Sequence, residues 1–436
     1  MLSSLIRKAA PSSPKINDKG RGERSETSKP RSSSTAAALS KKADSLTSRP
    51  SLLNKMSAES IKGNRPHSSS VSNNKNTALS RSASSSFDRS DSLAALEPVE
   101  EPGKSMIGQD YVTLASKPIF EGANGTIFKG SDAKGTVVVV IKTVKFQESQ
   151  SSESYKASVF REYDNLKKCF ACKSVVDVLD VARNPSSEEL SLIIPYYAHG
   201  DLLDYLCTLR SKNVEVSSNL KDAIFKQMVK AVDFLHRHNI AHRDIKPENF
   251  LIDSKGILKL NDFGYSIDLT KTHEHAALTD LWCGTTSFKA PELFQFEKDE
   301  KEGIDINVES INFKALDIWA LGVVYFQVFL MTMPWPSANI VTDEKNRTME
   351  RYIKRYPENE KNLTALVDKL NDRNYSDSSN PSMSLFKKLH YDARINILRA
   401  LHPVPEKRCS CSSLLETQWL TQVYASTKDL IDLIPR

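Results

Sequence analysis

The chain has 436 residues, 39% of them apolar, with 60 Lys+Arg against 54 Asp+Glu and six cysteines, enough for one large core or two to three ordinary ones. Residues 1–105 hold about 18 basic against about 10 acidic side chains, an excess larger than that of the whole chain, so the basic pI describes a tail and the remainder is slightly acidic. That distribution argues against a fold built to grip a specific nucleic acid. The cysteines at 169, 172, 207, 283, 409 and 411 lack the two CxxC pairs of a zinc site and follow no secretory signal, so reduced intracellular thiols are expected.

The tail is rich in Ser, its few Leu and Ile show no periodicity, and Phe87 is its only aromatic residue. It cannot bury enough apolar surface to offset its chain entropy and is expected to be disordered. A solvated regulatory role is the first reading; attraction to acidic lipid, nucleic acid or an acidic partner is the alternative. Ser84 and Ser92, each three residues after an Arg, and Ser13 before Pro14 are candidate phosphosites. The opening MLSSLIRKAA has the composition of a mitochondrial targeting helix but is cut by Pro11. The expected location is therefore cytoplasmic or nuclear, with mitochondrial import as the alternative.

Order is expected from about Met106. Residues 111–141 read as strand, turn, strand, strand, with IFEGANGTIFKG in a hairpin and TVVVVIK running into Lys142. A Lys at the end of a buried strand needs a partner. Residues 153–168 place Val159, Phe160, Tyr163 and Leu166 at helical spacing, and Glu162 on that helix is the expected partner. Cys169 and Cys172 at the helix end read as packed thiols. Strands over 176–181 and 190–194 precede PYYAHGDLLDYL, and a one-sided helix spans 219–239. The apolar run 318–331 contains Gln327 and is too short to span a bilayer, so it reads as a buried helix.

Residues 241–264, AHRDIKPENFLIDSKGILKLNDFG, space carboxylate and amide oxygens in a way that suits magnesium and a hydroxyl nucleophile. Asp244 can accept the hydrogen bond of an incoming hydroxyl, Lys246 can screen a transferring phosphoryl group, and Asn249 with Asp262 can hold Mg²⁺.

This stretch resembles the catalytic loop and Asp-Phe-Gly segment of eukaryotic protein kinases, and Lys246 with GTTSFKAPE resembles the Ser/Thr type. The resemblance covers roughly residues 111–420. It implies an α+β, two-lobed protein kinase fold after the 1–105 tail: a small mainly β lobe over 106–197, a larger mainly α lobe over 198–424, and a C-terminal extension over 425–436. It implies ATP and Mg²⁺ as cofactors and protein substrates as partners. By the same resemblance Gly122 and Gly125 let the backbone approach phosphates, beside Ile119. Lys142 and Glu162 form the nucleotide-side ion pair. Ile127, Val140 and Leu251 sandwich adenine, Ile194 guards the back of the pocket, and Tyr196 and Tyr197 offer backbone groups. Asp201 is placed to accept a ribose hydroxyl or a substrate Arg, or simply opens a helix. His242 packs under Phe263.

Two departures narrow the nucleotide site: Phe120 stands where the first Gly of the loop is expected, and Val140 where Ala is usual. Thr279 is the first candidate activation-segment phosphosite for an upstream kinase, with Asp280 or Glu274 as a permanent anion instead; Arg243 is the cation either would pair with. Thr285 is expected near Asp244 and Lys246, and Tyr265 accompanies a preference for Ser. Glu248 and Asp201 would receive a basic residue N-terminal to the phosphosite. The acidic insert FEKDEKEGIDINVE reads as a solvated loop, Asp317 as a support for the catalytic loop, and Glu292 as the partner of Arg408. A monomer is expected. The competing readings are a pseudokinase scaffold and a tail-driven binder of anionic surfaces. The tail and DIWALGVVYFQVFLMTMPWPSAN also resemble fungal kinases that regulate nutrient and ion transporters.

Overall fold

In the N-terminal half, runs of β-branched residues pair into one antiparallel sheet. Its strands are β1 (Tyr111–Thr113), β2 (Phe120–Gly122), β3 (Gly125–Asp132), β4 (Val138–Val144), β5 (Asp180–Arg183) and β6 (Leu190–Pro195), ordered β1-β3-β4-β6-β5 with β2 on β3. The computed structural model describes residues 98–433 except 100, 123, 149, 171, 272–279, 342 and 344–345. The expectations for the tail, including Ser13, Ser84, Ser92 and the first ten residues, and for Glu274 and Thr279 lie outside the described residues.

The period of two along β4 decides which side chains meet the cleft. Val139 and Ile141 enter a small outer cluster with Leu179, Ala182 and Ile193, whereas Val140 and Val144 pack against the main core on the other face. Lys142 therefore faces helix α1 (Ser152–Lys168). That helix is capped by Ser151, whose side chain accepts from the Ser154 amide, and it ends on Lys167 and Lys168, which favour the negative end of its dipole. It buries Tyr155, Val159, Glu162, Tyr163 and Leu166 on one stripe.

The β5 strand begins at Asp180, four residues later than the 176 start expected for it. Val176 is buried, but its amide bonds the Leu260 carbonyl instead of a neighbour in the sheet. Ahead of β1, residues 98–107 run along β5: the amides of Val99, Gly103 and Ile107 donate to Leu179, Val181 and Arg183, and the Arg183 amide donates to Ser105. The strap also meets α1, because the Tyr163 hydroxyl donates to the Val99 carbonyl at 3.4 Å.

The C-terminal half is helical: α2 (Leu202–Ser211), α3 (Ser218–Arg237), α4 (Pro291–Lys301), α5 (Phe313–Leu330), α6 (Arg347–Lys354) and α7 (Glu360–Asn371), with shorter helices beyond. Among the described helices α5 is long and apolar enough to cross a membrane, and 78% of it is buried inside the fold. Trp319, Leu321, Val323, Val324, Tyr325 and Phe326 are fully enclosed, each contributing about 1.5–3 kcal/mol of burial. A buried core helix is what its pattern predicts. The chain past 424 also packs: the short helix Thr427–Asp432 buries Leu430, whose carbonyl accepts from the Tyr205 hydroxyl at 2.8 Å.

Between α3 and α4 lie two small two-stranded sheets. Strands β7 (Ile240–Ala241) and β10 (Ile267–Asp268) pair, as do β8 (Phe250–Ile252) and β9 (Leu258–Leu260). These fix both ends of residues 242–249 and set Asp262 two residues after β9.

Candidate active site

On the sheet side, Lys142 Nζ donates to Glu162 Oε1 at 2.6 Å and to Asp262 Oδ1 at 2.8 Å. Strand alternation aims the Lys, and helical spacing aims the Glu, which is 3% exposed. Asp262 sits in left-handed backbone at φ 63°, a conformation that costs a non-Gly residue about 1–2 kcal/mol. The Lys142 contact helps hold it there.

On the helical side, Asp317 near the start of α5 carries the catalytic loop. Its Oδ2 accepts from the His242 amide at 2.9 Å and its Oδ1 from the Arg243 amide at 2.8 Å, with His236 Nε2 3.0 Å from Oδ2. Arg243 has φ 68°, so those two bonds fix a strained turn. His242 meets Phe263 edge-on at 5.0 Å and bonds the Asn261 carbonyl, the packing role expected for it.

That turn delivers Asp244. Its Oδ1 accepts from the amide and the hydroxyl of Thr285, both at 2.8 Å, and its Oδ2 from Lys246 Nζ at 2.7 Å. Lys246 also donates to the Thr285 hydroxyl at 2.8 Å, and Asn249 Nδ2 to the Asp244 carbonyl at 2.8 Å. Burial pushes the Asp244 pKa up, but Lys246 and the hydrogen bonds from Lys246 and Thr285 outweigh it and hold the carboxyl below its usual range. Asp244 is therefore ionised at neutral pH and equipped to accept a proton. Asn249 spends its nitrogen on Asp244, which leaves its amide oxygen for another role. That oxygen and Asp262 form a hard donor set of the kind Mg²⁺ takes alongside phosphate oxygens.

The remaining predicted residues fall around these two groups. Val140 stands opposite Ile194 in the β4–β6 ladder, and Ile127 opposite Lys142 in β3–β4. Ile119 leads into β2, with its amide bonded to the Ile127 carbonyl. Leu251 and Val140 are half-buried against the main core. The glycines have structural reasons as well: a Cβ on Gly125 would lie 2.2 Å from the Thr143 carbonyl oxygen, and one on Gly122 would strike the Phe120 ring at 2.7 Å. Phe120 thus lies against its own hairpin.

At Tyr196, one of the backbone groups expected for adenine is engaged within the sheet. The Tyr196 amide donates to the Val138 carbonyl at 3.2 Å, because the β4–β6 pairing continues past Pro195, and is therefore spent within the protein. Tyr197 is 9% exposed and packs into the core. Asp201 caps α2, accepting from the Asp204 amide at 3.0 Å, so the helix-opening role is real. Its burial, with Asp204 and Glu248 as like charges beside it, raises its pKa to about 7. Burial also raises that of Glu248, whose Oε2 is buried with no hydrogen-bond partner.

Sequence reasoning missed Arg161, the residue before Glu162. Its Nη2 donates to Asp280 Oδ2 at 2.7 Å and to the Gly264 carbonyl at 3.1 Å, while Arg243 Nη2 reaches Asp280 Oδ1 at 3.2 Å. A cation beside a key Glu was the available signal. The acidic insert is also not simply a solvated loop: its first residues continue α4, where Phe296 stacks on Trp282 at 5.7 Å and Glu300 accepts from the Trp282 indole at 2.7 Å. Glu292 and Arg408 pair as expected, through two bonds of 2.6 and 2.7 Å. Among the described residues no group of three or more His, Cys, Asp or Glu could hold a metal, and Cys169 and Cys172 are free thiols. Burial lifts Cys169 to about 12.

The protein kinase domain family matches residues 115–420. The chain is 30% identical over 220 residues to a probable serine/threonine-protein kinase MARK-C of Dictyostelium discoideum, covering 50% of this chain and 26% of that protein. It is 32% identical over 233 residues to the mouse cyclin-dependent kinase-like 4, covering 53% and 60%. The chain thus spans less than two thirds of either relative. A structure of the CAK complex of Chaetomium thermophilum bound to ATP-gamma-S contains a similar chain, at TM-score 0.55 and 22% identity, covering 73% of this chain and 94% of that one. With the family match running from just after β1 to Leu420 and the fold agreeing, the chain belongs to the protein kinase domain family.

Proposed function

We propose that this chain transfers the γ-phosphoryl group of ATP to Ser, in preference to Thr, of protein substrates. The observation that carries the reading is the Asp244 carboxylate, kept ionised by Lys246 and Thr285. The substrate hydroxyl oxygen attacks the γ-phosphorus, the bond from that phosphorus to the β–γ bridging oxygen breaks, and the hydroxyl proton passes to Asp244. Lys246 lies beside the acceptor, where its charge offsets that gathering on the transferred group. Lys142, oriented by Glu162, would hold the non-transferring phosphates. Asn249 and Asp262 would hold Mg²⁺, which when bound screens the phosphate charge.

Tyr265 after the Asp-Phe-Gly supports the Ser preference through the family resemblance. Asp201, Asp204 and Glu248 support a substrate with a basic residue N-terminal to the phosphosite, since the orphaned Glu248 Oε2 lacks a donor within the protein. The test is transfer of labelled phosphate from ATP with Mg²⁺ to a basic protein, comparing the full chain with Asp244→Asn. Loss of general-base help predicts a fall of about 10²–10⁴-fold in kcat. Equal measurable rates in the two proteins would remove Asp244 from the reaction, and no transfer by either, even after incubation with a cell extract to phosphorylate the activation segment, would return the chain to a scaffold role.

A further inference from the structure

Resting on the kinase reading, we propose that Asp280 is a built-in anion that positions the catalytic groups, so that activity needs no phosphate on the segment between Asp262 and Glu292.

Asp280 bridges two elements that each carry a catalytic neighbour. Arg161 precedes Glu162 on α1, and Arg243 precedes Asp244 in the catalytic loop. One carboxylate joins both guanidinium groups, at 2.7 Å through Oδ2 and 3.2 Å through Oδ1. Charge-assisted bonds of this kind are about twice as strong as neutral ones. A carboxylate in this position draws α1 toward the catalytic loop, the arrangement in which Lys142 reaches Glu162 and Asp262 together.

The cation sites are already taken. Arg243, whose side chain is 2% exposed, gives Nε to the Tyr265 carbonyl, Nη1 to the carbonyls of Asp280 and Leu281, and Nη2 to the Asp280 carboxylate. A phosphate entering there would have to displace bonds that exist. Arg161 keeps one buried donor, Nε, without a partner, which leaves room for a small added effect of an anion but not for a switch.

Anchors further along need no phosphate either. Trp282 stacks on Phe296 and donates to Glu300, and Thr285 donates to Asp244. From Asp280 to Thr285 the segment is tied in turn to α1, the catalytic loop, α4 and the catalytic base. The bridge is an ordering device whose charge is part of the sequence.

The experiment uses the full chain, dephosphorylated and checked by intact mass, alongside Asp280→Asn, Asp280→Glu, Thr279→Ala and Asp244→Asn. Initial rates give kcat and KM for ATP and a basic peptide, and melting is followed in parallel. Phosphate-free wild type and Thr279→Ala are expected within about twofold of protein phosphorylated by a cell extract. Asp280→Asn, nearly the same shape without charge, is expected to lose about 10- to 100-fold in kcat, the size of a lost charged hydrogen bond. Peptide KM and melting temperature should change little, and Asp280→Glu should restore most of the rate. Those last readouts separate positioning from a structural role.

Phosphate-free wild type that is inert until phosphorylated would overturn the proposal while leaving the kinase reading intact. So would Asp280→Asn with undiminished kcat. Wild type as inactive as Asp244→Asn in both states would overturn both.

Discussion

Asp317→Ala tests how the catalytic loop is held. The carboxylate accepts the amides of His242 and Arg243 at 2.9 and 2.8 Å and is 1% exposed. Alanine leaves two buried N–H groups without acceptors, at about 1–3 kcal/mol each, so roughly 2–6 kcal/mol in all. It also removes what holds Arg243 at φ 68°, a conformation worth about 1–2 kcal/mol of strain. Part of that cost will be relieved by the loop relaxing, and relaxation moves Asp244 away from Thr285 and Lys246. Even 2 kcal/mol of lost preference reduces the competent loop about 30-fold. Asp317→Asn retains one acceptor oxygen but points an amide nitrogen at the second N–H, so an intermediate loss is expected. The assay is kcat with saturating ATP and peptide, together with thermal melting and hydrogen exchange at residues 242 and 243. Asp317→Ala with kcat within about twofold of wild type and unaltered melting would refute the reasoning, because the bonds would then carry no net energy.

The Glu292–Arg408 pair is enclosed, with side chains 3% and 1% exposed, and Arg408 also bonds the carbonyls of Ala315 and His402. Arg408→Ala strands a buried carboxylate and is expected to cost about 3–5 kcal/mol in chemical denaturation, with Arg408→Lys recovering only part because it lacks the two-pronged fork. Asp201 predicts a pH dependence. Its pKa rises from 3.8 to about 7 on folding, so between those values the folded state holds a proton that the unfolded state has lost, and stability falls as pH rises through that window. Asp201→Asn should flatten that fall. Above pH 7 the ionised carboxylate should draw a peptide carrying Arg N-terminal to its phosphosite, so KM for that peptide drops between pH 6 and 8 while a peptide without Arg shows no such drop.

Legibility in the sequence followed the range of the interaction. Lys142 and Glu162 could be paired in advance because a period of two aims one side chain, a helical period aims the other, and both elements are local. Asp244, Lys246 and Asn249 lie within six residues, so their meeting depends on one turn. The Arg161–Asp280–Arg243 bridge joins three separate segments, and no local periodicity reports which surface cation lies over which loop. The Tyr196 amide bond to Val138 was not legible for a related reason: how far the β4–β6 ladder continues past Pro195 is set by the partner strand and not by local sequence. The delayed start of β5 reflects competition, since Val176 found its backbone partner at Leu260. In the insert, charge suggested solvent, but Phe296 at its head had an aromatic partner fourteen residues earlier in Trp282.

The strap over residues 98–107 decides where the tail enters the domain. It lies along β5, at the end of the sheet order, while the β2–β3 hairpin lies at β3, three strands in from there. The ninety-seven residues before it are therefore joined to the edge away from the β2–β3 hairpin, next to Tyr163 of α1. A molecule bound just ahead of Pro98 becomes a tethered neighbour of α1, present at a local concentration fixed by chain length and not by its abundance.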